Sequence, residues 1–386
     1  MALTLITAGE SHGPGLTCIV DGLPAGLELD REAINRDMAR RQLGHGRGGR
    51  MKIEKDAAEV TSGVRHGRTL GSAIALRVDN RDYKNWEERM NPWPVEALVP
   101  EVHLPRPGHA DLVGAWKYGQ TDVRNVLERA SARETAARVA GGALCKAFLG
   151  ALGVEIRSHV IQIGSVHAPE PETLDVDAFA TIDDDPVRCL DPEASKAMVG
   201  HINVQRKANE SIGGVFEVAA FGVVPGLGSY ISWQERLDGR LAMAICSIQA
   251  VKGVSIGDAW DVAGRPGSKA HDEIFYEDGH FARHTNRSGG LEGGMTTGDP
   301  LLVRGAMKPL PTLTKPLQSV DISTNAPAQA LRERTDSCTV PAAGVVGEAM
   351  VAHVLAQAYR DKFGGDHIDD VRAAVDAYRA RIGWTP

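Results

Sequence analysis

Aromatic residues make up only 5% of the 386 residues, while the 43 glycines exceed the usual share. Tight loops are therefore expected, in which bare backbone rather than bulky side chains approaches ligands. Cysteine is sparse and dispersed: Cys18, Cys145, Cys189, Cys246 and Cys338 never form a C-x-x-C pair. That excludes a zinc ribbon and a disulfide framework, and reads as the reduced thiols of a cytoplasmic protein. Positive charge is not in excess either. The net charge of −7 argues against a general nucleic-acid binder or a membrane-surface protein. The longest mainly apolar stretch free of charge, 218–234, is cut by Gly222, Pro225, Gly226 and Gly228 and is too short and broken for a spanning helix. Met1-Ala2-Leu3-Thr4 lacks the basic start of a signal peptide. A composition of 42% hydrophobic and 24% charged residues excludes global disorder.

Strands are expected over 3–6, 16–20, 51–55, 59–63, 73–78, 154–163 and 215–224, and helices over 31–43, 131–152, 237–248, 342–363 and 366–382. Asp30 can cap the first helix, with Ile34, Met38 and Ala39 on one face. In the second, Ala136, Val139, Ala140, Ala143, Leu144 and Phe148 form a small-residue stripe that lets another helix approach closely. Residues 80–107 read as a long loop and 167–191 as an acidic surface excursion. No fixed-period repeat and no clean linker appear, so the whole of 1–386 reads as one domain, with a peripheral tail beyond about 365. The strands come in adjacent pairs rather than in regular βαβ alternation, which favours an α+β fold with antiparallel sheets.

Two tempting motifs lack their context. Gly44-x-Gly46-x-x-Gly49 follows a helix, whereas a dinucleotide fingerprint follows a strand. Gly9-Glu10-Ser11-His12-Gly13 fits a hydrolase elbow in letters, but a strand follows where the elbow needs a helix. No histidine spacing suits a metal. What remains is a series of Arg, His and Gly clusters. Arg40, Arg41, Arg47 and Arg50 lie in a run without acids between Asp37 and Glu54, suited to phosphate and carboxylate. A Pro-Gly turn carries Arg106 and His109. Ser131 is a candidate N-cap with Glu134 at the capping-box position, yet Arg129 and Arg133 flank the same helix start, where the macrodipole disfavours cations unless an anion binds. Gly289–Gly294 is glycine-rich, and Arg334 and Asp336 stand two apart, placed to pair with each other or to face a ligand.

Taken in order, 9–13, 43–49, 106–111, 129–138, 289–294 and 334–341 resemble chorismate synthase, and the resemblance runs from about 4 to 365. It implies a β-α-β sandwich with helices between antiparallel sheets, a homotetramer, and a lyase. The reaction it implies converts 5-enolpyruvylshikimate 3-phosphate to chorismate and phosphate by 1,4-anti elimination with reduced FMN, which some members reduce with NADPH. On this resemblance Arg41, Arg47, Arg106, Arg133 and Arg334 bind substrate. His12, with Ser11 beside it, assists phosphate departure; His109 protonates the flavin; Asp336 helps flavin N5 act as a base. Arg129, Ala130, Ser131, Gln249, Ala250, Gly293, Lys308, Pro309, Leu310, Pro311, Thr312 and Arg334 match segments that contact FMN. Thr297, Asp299 and the Leu310-Pro311 pair depart from the family pattern. Two other classes compete: a flavin- or nucleotide-binding regulatory protein that has no need of the acid–base residues, and a serine hydrolase built on Ser11.

Overall fold

The computed structural model describes residues 3–48, 56–171, 174–277, 279–333 and 336–385. The strand expected at 51–55, and Arg50 and Arg334, lie outside the described residues.

Two antiparallel sheets form the outer layers. In the first, β1 (Thr4–Ala8), β2 (Gly15–Asp21), β3 (Ala58–Ser62) and β4 (Ile74–Asp79) run in the order β1-β2-β4-β3. In the second, β5 (Glu155–Ile163), β6 (Val166–His167), β7 (Gly214–Phe221), β8 (Val251–Ile256) and β9 (Leu301–Met307) run β8-β9-β7-β5-β6. Every pairing in both sheets is antiparallel. Alternation along β2 buries Leu16, Cys18 and Val20 on one face, as a strand with one face on a core requires.

The chief helices are α1 (Arg31–Arg40), α2 (Asp111–Tyr118), α3 (Thr135–Gly150), α4 (Pro192–Lys207), α5 (Leu237–Cys246), α6 (Val340–Phe363) and α7 (Ile368–Ile382). Of these, α3 and α6 pack on each other and fill the space between the sheets. The small-residue stripe explains how two helices fit in one layer. A Cβ built on Gly141 would lie 2.3 Å from a Leu5 methyl of the first sheet, and one on Gly142 would lie 2.6 Å from the Ala349 Cα of α6. On the far side of α6, a Cβ on Gly347 would meet the Phe216 ring of β7 at 2.7 Å. Backbone-to-backbone approach of this kind leaves no room for larger side chains. The window of α6 apolar enough to cross a membrane is 89% buried within this sandwich, so its apolarity serves the core.

Several local expectations need correction. In α1 the cap is Asp30, which accepts from the Glu32 N–H at 2.8 Å, and Ile34 and Met38 are buried. Ala39 is exposed, and Arg40 takes the buried position instead. Its guanidinium donates two 2.8 Å bonds to the buried Glu348 of α6, which also receives Lys146 and Ser158. Arg40 is thus drawn out of the basic cluster by a core carboxylate. The segment 174–191 is more than a surface excursion: Phe179 and Ile182 pack on Ala219, covering the outer face of the second sheet. The sequence reading passed over α2 and α4, although Asp191 and Pro192 are a strong start signal for α4; Asp191 accepts from the Ala194 N–H. The tail is not peripheral in packing, since Ile368, Val371 and Val375 of α7 join the main core.

Candidate active site

Loops at one end of the sandwich surround a cleft of about 410 Å³. That volume lies in the range of pockets that bury a small molecule. Ser11 and His12 enter from the β1–β2 turn, Arg41, Arg47 and Gly48 from the loop after α1, and Arg106 and His109 from the turn before α2. Ala130, Ser131 and Arg133 come from the start of α3, Gln249 and Ala250 from the α5–β8 turn, and Lys308, Leu310, Pro311 and Thr312 from the chain after β9. Asp336 and the first turns of α6 complete the lining.

Each histidine leans on a buried carboxylate. His12 Nδ1 is 2.9 and 3.0 Å from the two oxygens of Glu128. Glu128 is held below the usual carboxylate range: burial opposes this, but hydrogen bonds from His12 and the charge of Arg124 outweigh it. An ionised carboxylate only accepts, so the His12 Nδ1 that faces it is the donor. His109 Nδ1 meets Asp111 in the same way. Burial pushes the Asp111 carboxyl up, but His109 and Arg106 pull it well down. The 3.2 Å approach of Arg106 Nη2 to His109 Nδ1 is then two donors crowding one carboxylate. The Pro-Gly turn that presents this pair is of type II: Gly108 has φ +79°, and the His109 N–H donates to the Arg106 carbonyl at 3.2 Å.

The arginines are fixed by acids from elsewhere in the chain. Asp56 accepts from Arg41 Nη2 at 2.5 Å and from Arg133 Nη1 at 2.7 Å. Arg106 reaches Asp111 at 2.9 Å and Glu333 at 2.8 Å. Arg47 Nη1 is 3.0 Å from Asp336, which also accepts from the Gly48 N–H at 2.5 Å. Asp336 lines the cleft and pairs with Arg47; the pairing with Arg334 that the sequence offered lies outside the described residues. Ser131 caps the turn Ala132–Glu134 through the Arg133 N–H, and its hydroxyl lies 3.3 Å from that of Ser11. Glu134 does not close a capping box; it accepts from Thr7, Arg138 and Gln249.

The opposite wall is apolar, made by Ile248, Met307, Leu310, Ala342, Ala343 and Val346. Three features there suit a flat, polar-edged cofactor such as a flavin. Gln249 Oε1 is buried and has no hydrogen-bond partner among the described residues. Ala250 holds φ +68°, a strained region for a side chain with a Cβ, which marks a site where backbone position matters. Lys308 donates to the Gly108 carbonyl, and burial together with Lys252 lowers its pKa.

Some expected residues lie elsewhere. Arg129 and Pro309 neighbour the cleft in sequence but do not line it; Arg129 donates to Thr7 and Gly9. Gly293 sits in the tight hairpin 291–296, away from the lining. Thr297 and Asp299 are also outside it, bonded to each other at 2.8 Å, with Asp299 facing Arg283. Their departure from the family pattern therefore adds no acid to this cleft. Ser11 sits in a turn leading straight into β2, so the hydrolase elbow is absent. Sequence reasoning missed Glu128, Asp56 and Trp86, and gave Asp111 no role. The one signal available was Glu128 as an isolated acid just before the Arg129–Arg133 run.

The chain as a whole is similar to chorismate synthases. The family profile described as chorismate synthase matches residues 3–359. A chorismate synthase of Rubrobacter xylanophilus is 55% identical over 377 residues, covering 98% of this chain and 96% of that one. Another, from Syntrophotalea carbinolica, is 54% identical over 379 residues, covering 97% of each. A crystal structure of a chorismate synthase superposes with a TM-score of 0.79 at 42% identity, covering 99% of this chain and 98% of the other. Near-full-length identity above one half, on a shared sandwich architecture, means that the chain belongs to the chorismate synthase family.

Proposed function

We propose that this protein converts 5-enolpyruvylshikimate 3-phosphate to chorismate and phosphate by 1,4-anti elimination, in the shikimate pathway that leads to aromatic amino acids, with reduced FMN in the cleft. The observation that carries the reading is the convergence of Ser11, His12, Arg41, Arg47, Arg106, His109, Arg133 and Asp336 on one cleft that also has an apolar wall. The substrate carries one phosphate and two carboxylates, so Arg41, Arg47, Arg106 and Arg133 are its anion-binding groups, each already oriented by a carboxylate. Asp336 holds Arg47 and the Gly48 N–H, and it is the carboxylate of this chain that would help the flavin N5 act as a base. His12 gives the proton that lets phosphate leave, from the ring nitrogen that Glu128 does not occupy. His109, whose Nδ1 meets Asp111, is the residue that would protonate the flavin. Ala130, Ser131, Gln249, Ala250, Lys308, Leu310, Pro311 and Thr312 are the groups of this chain that would hold FMN. When bound, the reduced flavin supplies an electron-rich ring that stabilises the electron-poor substrate ring as its bonds break.

The chain acts in this reading as one domain, supported by a core cluster that includes both Leu3 and Val375. The family's homotetramer fits the adjacent exposed side chains Tyr230, Ile231 and Trp233, and a cytoplasmic location fits its five free thiols. Anaerobic turnover of the enolpyruvyl substrate tests the function: chorismate is expected with chemically reduced FMN and not with oxidised FMN, and equal turnover without flavin would overturn it. Adding NADPH with oxidised FMN shows in the same assay whether the chain reduces its own cofactor.

Arg47→Ala tests the anion site. Losing a charge-assisted contact costs about 1.5–3 kcal/mol, so KM is expected to rise roughly 10- to 150-fold. FMN affinity should suffer less. A KM within about twofold of wild type, under ~0.5 kcal/mol, would make the loop a solvated surface and nothing more.

A further inference from the structure

Glu128 does not line the cleft, yet it grips the one turn that brings Ser11 and His12 into it. Its side chain is almost wholly buried, with 1% of its surface exposed. Beyond the two contacts with His12 Nδ1, its Oε2 accepts the His12 backbone N–H at 2.8 Å, and its carbonyl accepts the Ser11 N–H at 3.1 Å. Arg124, four residues earlier, donates to its Oε1 at 2.8 Å. The imidazole is held on its face as well: Trp86 stacks on it with centroids 3.8 Å apart and planes 25° apart. The Arg124 guanidinium lies 5.2 Å from the centre of the same indole. Carboxylate, arginine and indole thus close around the edge and face of one ring.

We propose that Glu128 is the positioning residue for His12: it fixes the tautomer, aims Nε2 at the leaving phosphate and balances the charge of the imidazolium. The proposal rests on the reading of His12 as the proton donor. In the step itself, the ring C–O bond of the phosphate ester breaks with its electron pair going to oxygen, the electron pair of the ring C6–H bond closes the new double-bond system, and the C6 proton leaves to the base that Asp336 would assist. The Nε2 proton of His12 moves to the departing phosphate, His12 is left neutral with Nδ1–H still donating to Glu128, and Glu128 stays a carboxylate throughout. A buried carboxylate that orients an imidazole and stabilises its cationic form typically carries a large share of the imidazole's usefulness without touching substrate.

The test uses full-length protein with reduced FMN and four variants: His12→Ala, Glu128→Ala, Glu128→Gln and the double variant His12→Ala/Glu128→Ala. Glu128→Ala is expected to lower kcat about 10- to 100-fold with KM within about twofold. Glu128→Gln, which keeps an acceptor for Nδ1 but no charge, should fall between Glu128→Ala and wild type. The double variant should be no slower than His12→Ala alone, because a residue that acts through His12 has nothing to add once the imidazole is gone. A wild-type kcat in Glu128→Ala beside a slow His12→Ala overturns the positioning role and leaves the His12 assignment standing. A double variant slowed by the product of the two single effects overturns it too, since Glu128 would then act elsewhere. A His12→Ala that turns over at full rate overturns the underlying reading of His12, and the proposal with it. If Glu128→Ala does not fold, the near-isosteric Glu128→Gln carries the comparison, and a wild-type kcat there overturns the electrostatic part.

Discussion

His12→Ala and His109→Ala are each expected to fold and to lose on the order of 10²- to 10⁴-fold in single-turnover rate, the usual worth of general acid–base help. The two losses should differ in their optical signature. With reduced FMN and substrate bound, His109→Ala should alter the protonation-sensitive flavin absorbance or its pH dependence, while His12→Ala should leave it nearly as in wild type. The structure supplies the competing explanation to be beaten, since both rings also satisfy buried carboxylates. Removing the His12 ring leaves Glu128 with Arg124 and the His12 backbone N–H. Removing the His109 ring leaves Asp111 with Arg106. Each carboxylate thus keeps a cationic partner, and the stability cost should stay near the ~1–3 kcal/mol of a lost buried hydrogen bond. Thermal melts recorded beside single-turnover rates separate the cases. Variants that melt early yet turn over normally below their midpoints would make both histidines packing residues. A flavin spectrum perturbed by His12→Ala instead would mean the roles are exchanged.

The parts of this molecule legible in its sequence are those whose cause is local. Small residues spaced along 136–148 announce a helix that another helix must touch, and Gly142 against Ala349 is that contact. Asp30 before an amphipathic run announces the start of α1, and Pro107-Gly108 the turn under His109. The arginine and histidine clusters were legible as a set because anions demand those residue types. Their partners were not. Arg41 and Arg133 meet on Asp56, Arg47 meets Asp336, and His12 meets Glu128, all through contacts between different segments of the chain. Periodicity and spacing carry no information on such pairs. The same cause explains Arg40: it belongs to the basic run by sequence, but Glu348 on a neighbouring helix claims it for the core. Ala39 was misplaced because the burial of a charged side chain beside it depends on that distant carboxylate. Gly293 shows the converse limit, since a glycine motif fixes a tight hairpin but not which cleft the hairpin faces.

The acid that orients two of the cleft arginines should also be one of the more costly side chains to remove. Arg41, Asp56 and Arg133 are all at least nine-tenths buried. Burial lowers the pKa of Arg41, Asp56 raises it, and the neighbouring Arg133 lowers it again. Asp56 is held below its ordinary range; burial works against this, but the charges of Arg41 and then Arg133 outweigh it. Asp56→Ala removes the carboxylate that two adjacent buried cations share, and deleting one partner of a buried pair costs about 3–5 kcal/mol. Urea unfolding at neutral pH should show a loss of that size. The sign of its pH dependence follows from the direction of the shift. A carboxyl depressed in the folded state contributes stability that is complete above its unfolded value of 3.8. That contribution is lost as pH falls through the lower folded value, so the gap between wild type and variant should be constant near neutrality and close in acid. Ligand should act in the opposite sense to the mutation. An anion seated between Arg41 and Arg133 replaces part of the missing charge, so inorganic phosphate should raise the melting temperature of Asp56→Ala by more than it raises that of wild type. A variant within about 0.5 kcal/mol of wild type, or one that gains no more from phosphate than wild type does, would show that Asp56 neither holds these arginines nor shapes an anion site.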